Sequence, residues 1–75
     1  MDYIELTLEA ADAAQAEILT AELADFPFDS FEQEGARLKA YIPRPRLADC
    51  KGEVDALLVR YGIDHATFLS IEPQN

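Results

Sequence analysis

The sequence predicts an α+β domain in which two helices cover one face of a four-stranded antiparallel sheet. The main observation is that short segments of alternating apolar and polar residues, typical of half-buried strands, are interleaved with two longer segments of helical period. A second observation is the length of 75 residues, which allows one domain with a single small core. The third is a glycine, Gly35, between two strand-like segments, where it predicts a hairpin turn.

The first strand is predicted from Tyr3 to Glu9, because apolar and polar residues alternate strictly in this segment. One face is expected to pack against the core, and it holds Ile4, Leu6 and Leu8. The other face is expected to hold the remaining residues, including Tyr3 and Glu5. This strand is therefore half-buried.

The first helix is predicted to follow a capping box formed by Asp12 and Gln15. In this motif the Asp12 carboxylate accepts a hydrogen bond from the backbone N–H of Gln15. The next segment is rich in alanine, which favours helix. Because Pro27 pushes the residue before it out of the α region, the helix is expected to end near Asp25 or Phe26. The stripe that faces the sheet is predicted to consist of Ala16, Leu19, Leu23 and Phe26.

A hairpin is predicted from Phe28 to Pro43. Its first strand, Ser30 to Glu34, is short and acidic, which suits an edge strand because the charges oppose pairing with other chains. Gly35 supplies the turn, and the second strand runs from Arg37 to Ile42. Its residues are divided between the core face, with Leu38, Ala40 and Ile42, and the opposite face, with Lys39 and Tyr41.

The second helix is predicted from about Leu47 to Tyr61, with Gly62 as the residue after its C-cap. Pro43 and Pro45 are expected to end the strand pairing, which leaves Arg44 and Arg46 in an extended, exposed connection. The apolar stripe of this helix is predicted to consist of Leu47, Cys50, Val54, Leu57 and Tyr61.

The last strand is predicted from Ala66 to Glu72, with Leu69 and Ile71 on the core face and Phe68 and Ser70 on the opposite face. The element order is then β-α-β-β-α-β, the ferredoxin-like or split βαβ arrangement. Right-handed crossovers favour the strand order 4-1-3-2, which places the acidic strand at one edge of the sheet.

The sheet face that the helices leave open is one of two candidate surfaces, and the hairpin tip from Glu32 to Gly35 is the other. RNA-recognition domains of this topology place aromatic residues there, but they also carry basic residues and RNP motifs, which this sequence lacks. A net charge of −9 repels phosphate and anionic lipid and attracts basic partners. The sequence therefore favours a protein-binding surface, or self-association through the sheet, over nucleic-acid binding. The alternative that the aromatic rings only shield the sheet stays open. The candidate binding residues are Tyr3, Glu5, Lys39, Tyr41 and Phe68 on this face, and Glu32 and Glu34 at the hairpin.

No residue pattern indicates catalysis, a metal or a cofactor. Cys50 is expected to be a buried thiol on a helix stripe, and His65 is the single histidine, so neither a disulfide framework nor a zinc site is expected. The glycines are scattered, which excludes a Rossmann fingerprint and a P-loop. The chain has no apolar run of membrane-spanning length and no signal-peptide pattern, so we expect a cytoplasmic protein.

The sequence resembles the N-terminal domain of bacterial ribosomal protein L11 methyltransferases, especially the Bacteroidetes type, over nearly the whole chain. Pro27 departs from the family, which usually has glycine there. The matching residues are Tyr3 to Glu5, the segment L-A-D-F-P-F-D-S-F from Leu23 to Phe31, the turn glycine Gly35, Leu38, and the run Ala40, Tyr41 and Ile42.

The resemblance implies a parent enzyme that transfers methyl groups from S-adenosylmethionine to lysine and N-terminal amines of a basic large-subunit ribosomal protein. In that family a C-terminal domain performs the chemistry, and the N-terminal domain recognises the substrate. Residues 1–75 are therefore expected to be one substrate-recognition domain of a longer methyltransferase. The end at Gln74 and Asn75 is similar to the start of the family's linker between domains.

Two other functional classes share the element order. Ligand-sensing domains of the ACT type usually place a glycine-rich turn after the first strand, where this chain has Glu9 to Asp12. Hydrolases of the acylphosphatase type need an arginine in a phosphate-binding loop at the same place, and the first basic residue here is Arg37. Of these two, the ligand-sensing module is the main alternative to substrate recognition.

Overall fold

The computed structural model describes residues 2–71, and its elements follow the predicted order. The sheet has the strand order 2-3-1-4, numbered along the chain, with antiparallel pairing throughout, which confirms the predicted topology. The predicted strand position Glu72 and the linker-like residues Gln74 and Asn75 lie outside the described residues. The elements are β1 (Tyr3–Glu9), α1 (Ala13–Leu23), β2 (Ser30–Glu34), β3 (Arg37–Pro43), α2 (Arg44–Arg60) and β4 (Ala66–Ile71).

The core lies between the sheet and the two helices. In the centre of the sheet, β1 and β3 place aliphatic residues directly opposite each other, with Leu6 facing Ala40 and Leu8 facing Leu38. All four of these side chains are fully buried. Burying one leucine side chain stabilises a fold by about 1.5–3 kcal/mol. The helices complete the cluster with Leu19, Leu23, Leu47, Cys50, Val54, Leu57 and Leu58.

The predicted capping box is present at the start of α1. The backbone N–H of Gln15 donates to Asp12 Oδ1 at 2.8 Å, and Gln15 Oε1 accepts from the backbone N–H of Ala11 at 2.7 Å. Gln15 Nε2 also donates to the carbonyl oxygen of Tyr61 at 3.1 Å. One side chain therefore caps α1 and joins it to the end of α2.

Helix α1 ends at Leu23, earlier than the predicted end near Asp25 or Phe26. Its last carbonyl groups are satisfied by a tightened turn, in which the N–H of Phe26 donates to Leu23 O at 2.9 Å. Phe26 still packs against the core, but it does so from this turn and not from the helix. The helix therefore ends before Phe26, the residue that Pro27 is expected to restrict.

Helix α2 begins at Arg44, three residues before the predicted start at Leu47. Pro43 is the last residue of β3 and also the N-cap, and Pro45 is the second helical residue. The first turn of a helix has N–H groups without intrahelical acceptors, so a proline is accommodated there. The prediction that Arg44 and Arg46 lie in an extended connection is therefore wrong, because both belong to the first turn of α2.

The two faces of strand β4 are exchanged relative to the prediction. Phe68 lies opposite Leu6 on the helix-covered face, and Leu69 lies opposite Glu5 on the open face. The ring of Phe68 packs against the core, with the ammonium group of Lys51 from α2 at 4.5 Å from the ring centroid. The assignments of Leu69 and Ile71 to the core and of Phe68 and Ser70 to the open face are therefore wrong.

Two glycine-to-alanine substitutions test the backbone geometry, because they are expected to have opposite effects on stability. Gly35 has a φ of +62° in the hairpin turn, and Gly52 has an ordinary helical conformation inside α2, where an added Cβ would meet no atom within 4 Å. We expect Gly35→Ala to lower the free energy of unfolding by about 1 kcal/mol and Gly52→Ala to raise it by about 0.5–1 kcal/mol. Urea denaturation followed by circular dichroism measures both. Equal effects of the two substitutions would contradict this backbone assignment.

Candidate protein-binding face

The open face of the sheet is formed by the side chains that point away from the two helices. The strand registers fix its composition, because residues directly opposite each other on neighbouring strands share a face. The open face consists of Ser30, Glu32 and Glu34 from β2, Arg37, Lys39, Tyr41 and Pro43 from β3, Tyr3, Glu5, Thr7 and Glu9 from β1, and Thr67, Leu69 and Ile71 from β4.

Tyr41 lies at the centre of an acidic group on this face. It stands opposite Glu5 on β1, and its hydroxyl donates to Glu32 Oε2 at 3.4 Å. Partial burial and the neighbouring carboxylates of Glu5 and Glu32 together raise the pKa of Tyr41 to about 12. Tyr41 is therefore a neutral hydrogen-bond donor at physiological pH, flanked by two carboxylates.

Tyr3 connects the open face to the loop before β2. Its hydroxyl donates to Asp29 Oδ2 at 2.7 Å, and this hydrogen bond is the main reason that the pKa of Tyr3 is raised. The backbone N–H of Asp29 donates to the carbonyl oxygen of Tyr41 at 2.8 Å, which holds the loop against β3. Asp29 therefore adds another carboxylate at the margin of the face.

The apolar part of the face lies toward β4. Leu69 has 59% of its surface exposed, and Ile71 lies opposite Tyr3. The acidic part lies toward β2, where Glu32 and Glu34 are exposed. An apolar border beside a carboxylate-rich area is suited to a protein surface that has both basic and aliphatic side chains.

The open face is acidic overall, although it includes two basic residues. Arg37 Nε lies 3.0 Å from Glu9 Oε1 in an exposed ion pair, and Lys39 stands opposite Glu32 on β2. Exposed pairs of this kind contribute little to stability and are readily exchanged for other partners. Four glutamates on the face thus outnumber one arginine and one lysine, so the face attracts cations.

Within residues 2–71, the remaining candidates for chemistry are the thiol of Cys50 and a metal site. Cys50 is buried, and its thiol lies 3.4 Å from the carbonyl oxygen of Arg46. Burial, followed by the charges of Glu53 and Asp49, raises the pKa of Cys50, so the thiol stays protonated at neutral pH. This confirms the predicted buried thiol. In the same range, His, Cys, Asp and Glu side chains form no group of three or more that could hold a metal ion.

Most of the predicted binding residues lie together on the open face. Tyr3, Glu5, Glu32, Glu34, Lys39 and Tyr41 are all part of it. Phe68 lies on the helix-covered face, so its predicted place on the open face was wrong. Sequence reasoning missed Asp29, Leu69 and Ile71. The alternation of β4 could not have identified the last two, because this strand has apolar residues at both odd and even positions.

The sequence is similar to a curated protein. Ribosomal protein L11 methyltransferase from Porphyromonas gingivalis (strain ATCC BAA-308 / W83), a Bacteroidetes species, is 44% identical over 57 residues. The matched region covers 76% of this chain and 18% of the relative, so the chain spans less than a fifth of that protein. No protein-family model matches the chain, and no solved structure matches it. Neither helix within residues 2–71 is long and apolar enough to cross a membrane.

A pair of alanine substitutions tests the corrected orientation of β4. Phe68 packs against the core, so we expect Phe68→Ala to lower the free energy of unfolding by about 1–3 kcal/mol. Leu69 is largely exposed, so we expect Leu69→Ala to change it by less than about 0.5 kcal/mol. Chemical denaturation at low protein concentration measures both. A larger cost for Leu69→Ala than for Phe68→Ala would restore the orientation predicted from sequence.

The pKa of Tyr41 tests the acidic group around it. Folding raises this pKa from 10.0 to about 12, so the contribution of the neutral phenol to stability is fully present below pH 10. That contribution is lost as the pH rises from about 10 to about 12. We expect Glu5→Gln to lower the pKa of Tyr41, measured from the NMR shift of its ring carbon. Glu9→Gln, on the same strand, is the control, and an equal effect of both would exclude a local interaction with Glu5.

Proposed function

We propose that this chain is a substrate-recognition module of a protein methyltransferase, and that it binds ribosomal protein L11. The observation that carries this proposal is the 44% identity over 57 residues to a ribosomal protein L11 methyltransferase. Because the match covers only 18% of that relative, we assign this chain one step of the activity, the recognition of the substrate. The module would hold the substrate protein while another part of the enzyme transfers the methyl group.

Electrostatics support a ribosomal protein as the partner. Proteins that neutralise RNA phosphates use lysine and arginine, and such a protein is attracted to a module with a net charge of −9. The open face presents carboxylates to such a partner at Glu5, Glu32 and Glu34. Charge complementarity of this type increases the association rate and selects against acidic partners.

The composition of the open face supports a protein partner over a small ligand. Its carboxylates are spread across β1 and β2, and the apolar residues Leu69 and Ile71 lie on the far side, on β4. A small-molecule site usually buries most of its ligand in a concave pocket. A surface with separated acidic and apolar areas fits a partner that is large enough to contact both.

The residues present do not fit S-adenosylmethionine. A dinucleotide-type fold holds such a ligand at a glycine-rich turn between a strand and a helix. Here the turn from β1 to α1 is Ala10-Ala11-Asp12, and the three glycines lie in a hairpin, inside a helix and after a helix. We therefore propose that the cofactor and the reacting groups belong to a catalytic domain in a longer protein. The proposed place of action is the cytoplasm, where ribosomal proteins are available.

Titration with purified L11 tests the proposal directly. We expect chemical shift changes to concentrate on the open face, and we expect the affinity to fall as the salt concentration rises because the attraction is electrostatic. Absence of binding at low ionic strength would contradict the proposed function. Shift changes confined to the helices would contradict the open face as the binding surface.

Neutralising substitutions separate the open face from the overall charge. We expect the double substitution Glu5→Gln and Glu32→Gln to weaken L11 binding by about threefold to tenfold, since an exposed charge pair contributes about 0.2–1 kcal/mol. The matched control is Glu17→Gln with Glu53→Gln, which removes the same charge from exposed helix positions. Isothermal titration calorimetry measures both. Equal weakening by the two pairs would show that only the net charge matters.

A further inference from the structure

The two edges of the sheet differ in charge. At one edge, β2 has Glu32 and Glu34 among its five residues. At the other edge, β4 runs from Ala66 to Ile71 and has no charged residue. Charged side chains are a common means of preventing an edge strand from pairing with other chains, and an uncharged edge lacks this protection.

The hydrogen-bond pattern shows which backbone groups of β4 point outward. The N–H of Glu9 donates to the carbonyl oxygen of His65 at 3.1 Å, next to the opposed pair of Leu8 and Ala66. In an antiparallel ladder, hydrogen-bonded and non-hydrogen-bonded pairs alternate. The residues of β4 that bond to β1 are therefore the odd-numbered ones, Thr67, Leu69 and Ile71. The N–H and C=O groups of Ala66, Phe68 and Ser70 point away from the sheet.

We propose that this edge binds β4 of a second copy of the chain, antiparallel and around a two-fold axis at Phe68. This register places Phe68 opposite its own copy and Ala66 opposite Ser70, so every outward N–H and C=O group of β4 pairs. A shift by two residues in either direction leaves some of these groups without a partner within Ala66–Ile71 of the second copy. The result is one continuous eight-stranded sheet with all helices on the same side.

The side chains are compatible with this register. Leu69 comes to lie beside Thr67 of the second copy and diagonal to the other Leu69, which removes its exposed surface from water. The cations next to β4 already have partners within their own chain, since Lys51 Nζ lies 2.7 Å from Asp55 Oδ2 and Arg44 lies 3.7 Å from Asp2 Oδ2. The carboxylates of Asp55 and Asp2 therefore offset these positive charges beside the new strand pair.

Charge and symmetry favour a second copy paired through β4 over the other edge pairings. Pairing β2 with β2 around its centre would place Glu32 opposite Glu32, which is unfavourable. Pairing β4 with β2 leaves free edges at both ends and produces an open chain of molecules, whereas β4 with β4 closes as a dimer. A single strand pair is a small interface, so the dimer belongs to the weak and reversible class.

Salt distinguishes this association from L11 binding. Two copies with a net charge of −9 each repel one another, and added salt screens this repulsion. Dimerisation is therefore expected to strengthen with salt, whereas binding of a basic protein is expected to weaken. The dimer does not depend on the proposed function, and either one can fail without the other.

Proline and alanine at Ser70 test the proposal. Ser70→Pro removes an outward N–H and leaves the bonds to β1 intact, and proline is tolerated at such positions of edge strands. Ser70→Ala keeps that N–H but loses the same hydroxyl, which accepts a hydrogen bond from Arg44 Nη2 at 2.7 Å. Sedimentation of the full chain at millimolar concentration and high salt gives its mass. We expect a shift from 8.4 kDa toward twice that mass for the wild type and Ser70→Ala, and none for Ser70→Pro.

Amide exchange measured by NMR gives a second readout. As the concentration rises, the amides of Ala66, Phe68 and Ser70 are expected to become protected, while Thr67 and Leu69 are protected throughout. A wild type that stays monomeric under these conditions would overturn the proposal. So would a dimer that persists in Ser70→Pro, which would place the contact elsewhere, or species that grow beyond the dimer, which would indicate pairing of β4 with β2.

Discussion

The structure depends on the antiparallel pairing of the central strands β1 and β3. This pairing aligns Ile4, Leu6 and Leu8 with Ile42, Ala40 and Leu38, so one register creates the surface on which both helices pack. The same register collects Glu5, Tyr41 and their neighbours on the other side. Because side chains alternate along a strand, a slip of one residue would bury the carboxylates and expose the leucines. The core therefore fixes the candidate binding face.

This dependence explains which features could be predicted from sequence. In strands β1 and β3 the predicted core positions alternate with outward positions. The sequence therefore predicted correctly which residues face the core, and that Tyr3, Glu5 and Tyr41 share the opposite surface. In strand β4, Phe68 lies on one face and Leu69 and Ile71 lie on the other. Both faces have apolar residues, so only the pairing with β1 shows which of them is turned toward the helices. The ends of the helices depend on local competition between helical hydrogen bonding and the backbone restrictions imposed by proline. Pro45 was accommodated inside α2, and α1 tightened into a turn before Pro27.

The open face and the β4 edge are adjacent but use different interactions. The face presents side-chain charges, which act over roughly a Debye length and are screened by salt. The edge presents backbone N–H and C=O groups, which require direct contact and a defined register. Leu69 belongs to both, because it borders the open face and would lie at the centre of a dimer. A dimer through β4 would place two acidic faces side by side on one continuous sheet.

The acidic charge of this chain contributes little to its fold. No charged residue among residues 2–71 is buried, and the ion pairs in that range are exposed. Exposed pairs contribute little to stability, and the mutual repulsion of an excess charge opposes a compact state. A small domain with a marginal core gains no structural advantage from a net charge of −9. The excess charge therefore fits the proposed recognition of a basic partner, and at β2 it also opposes pairing of this edge with other chains.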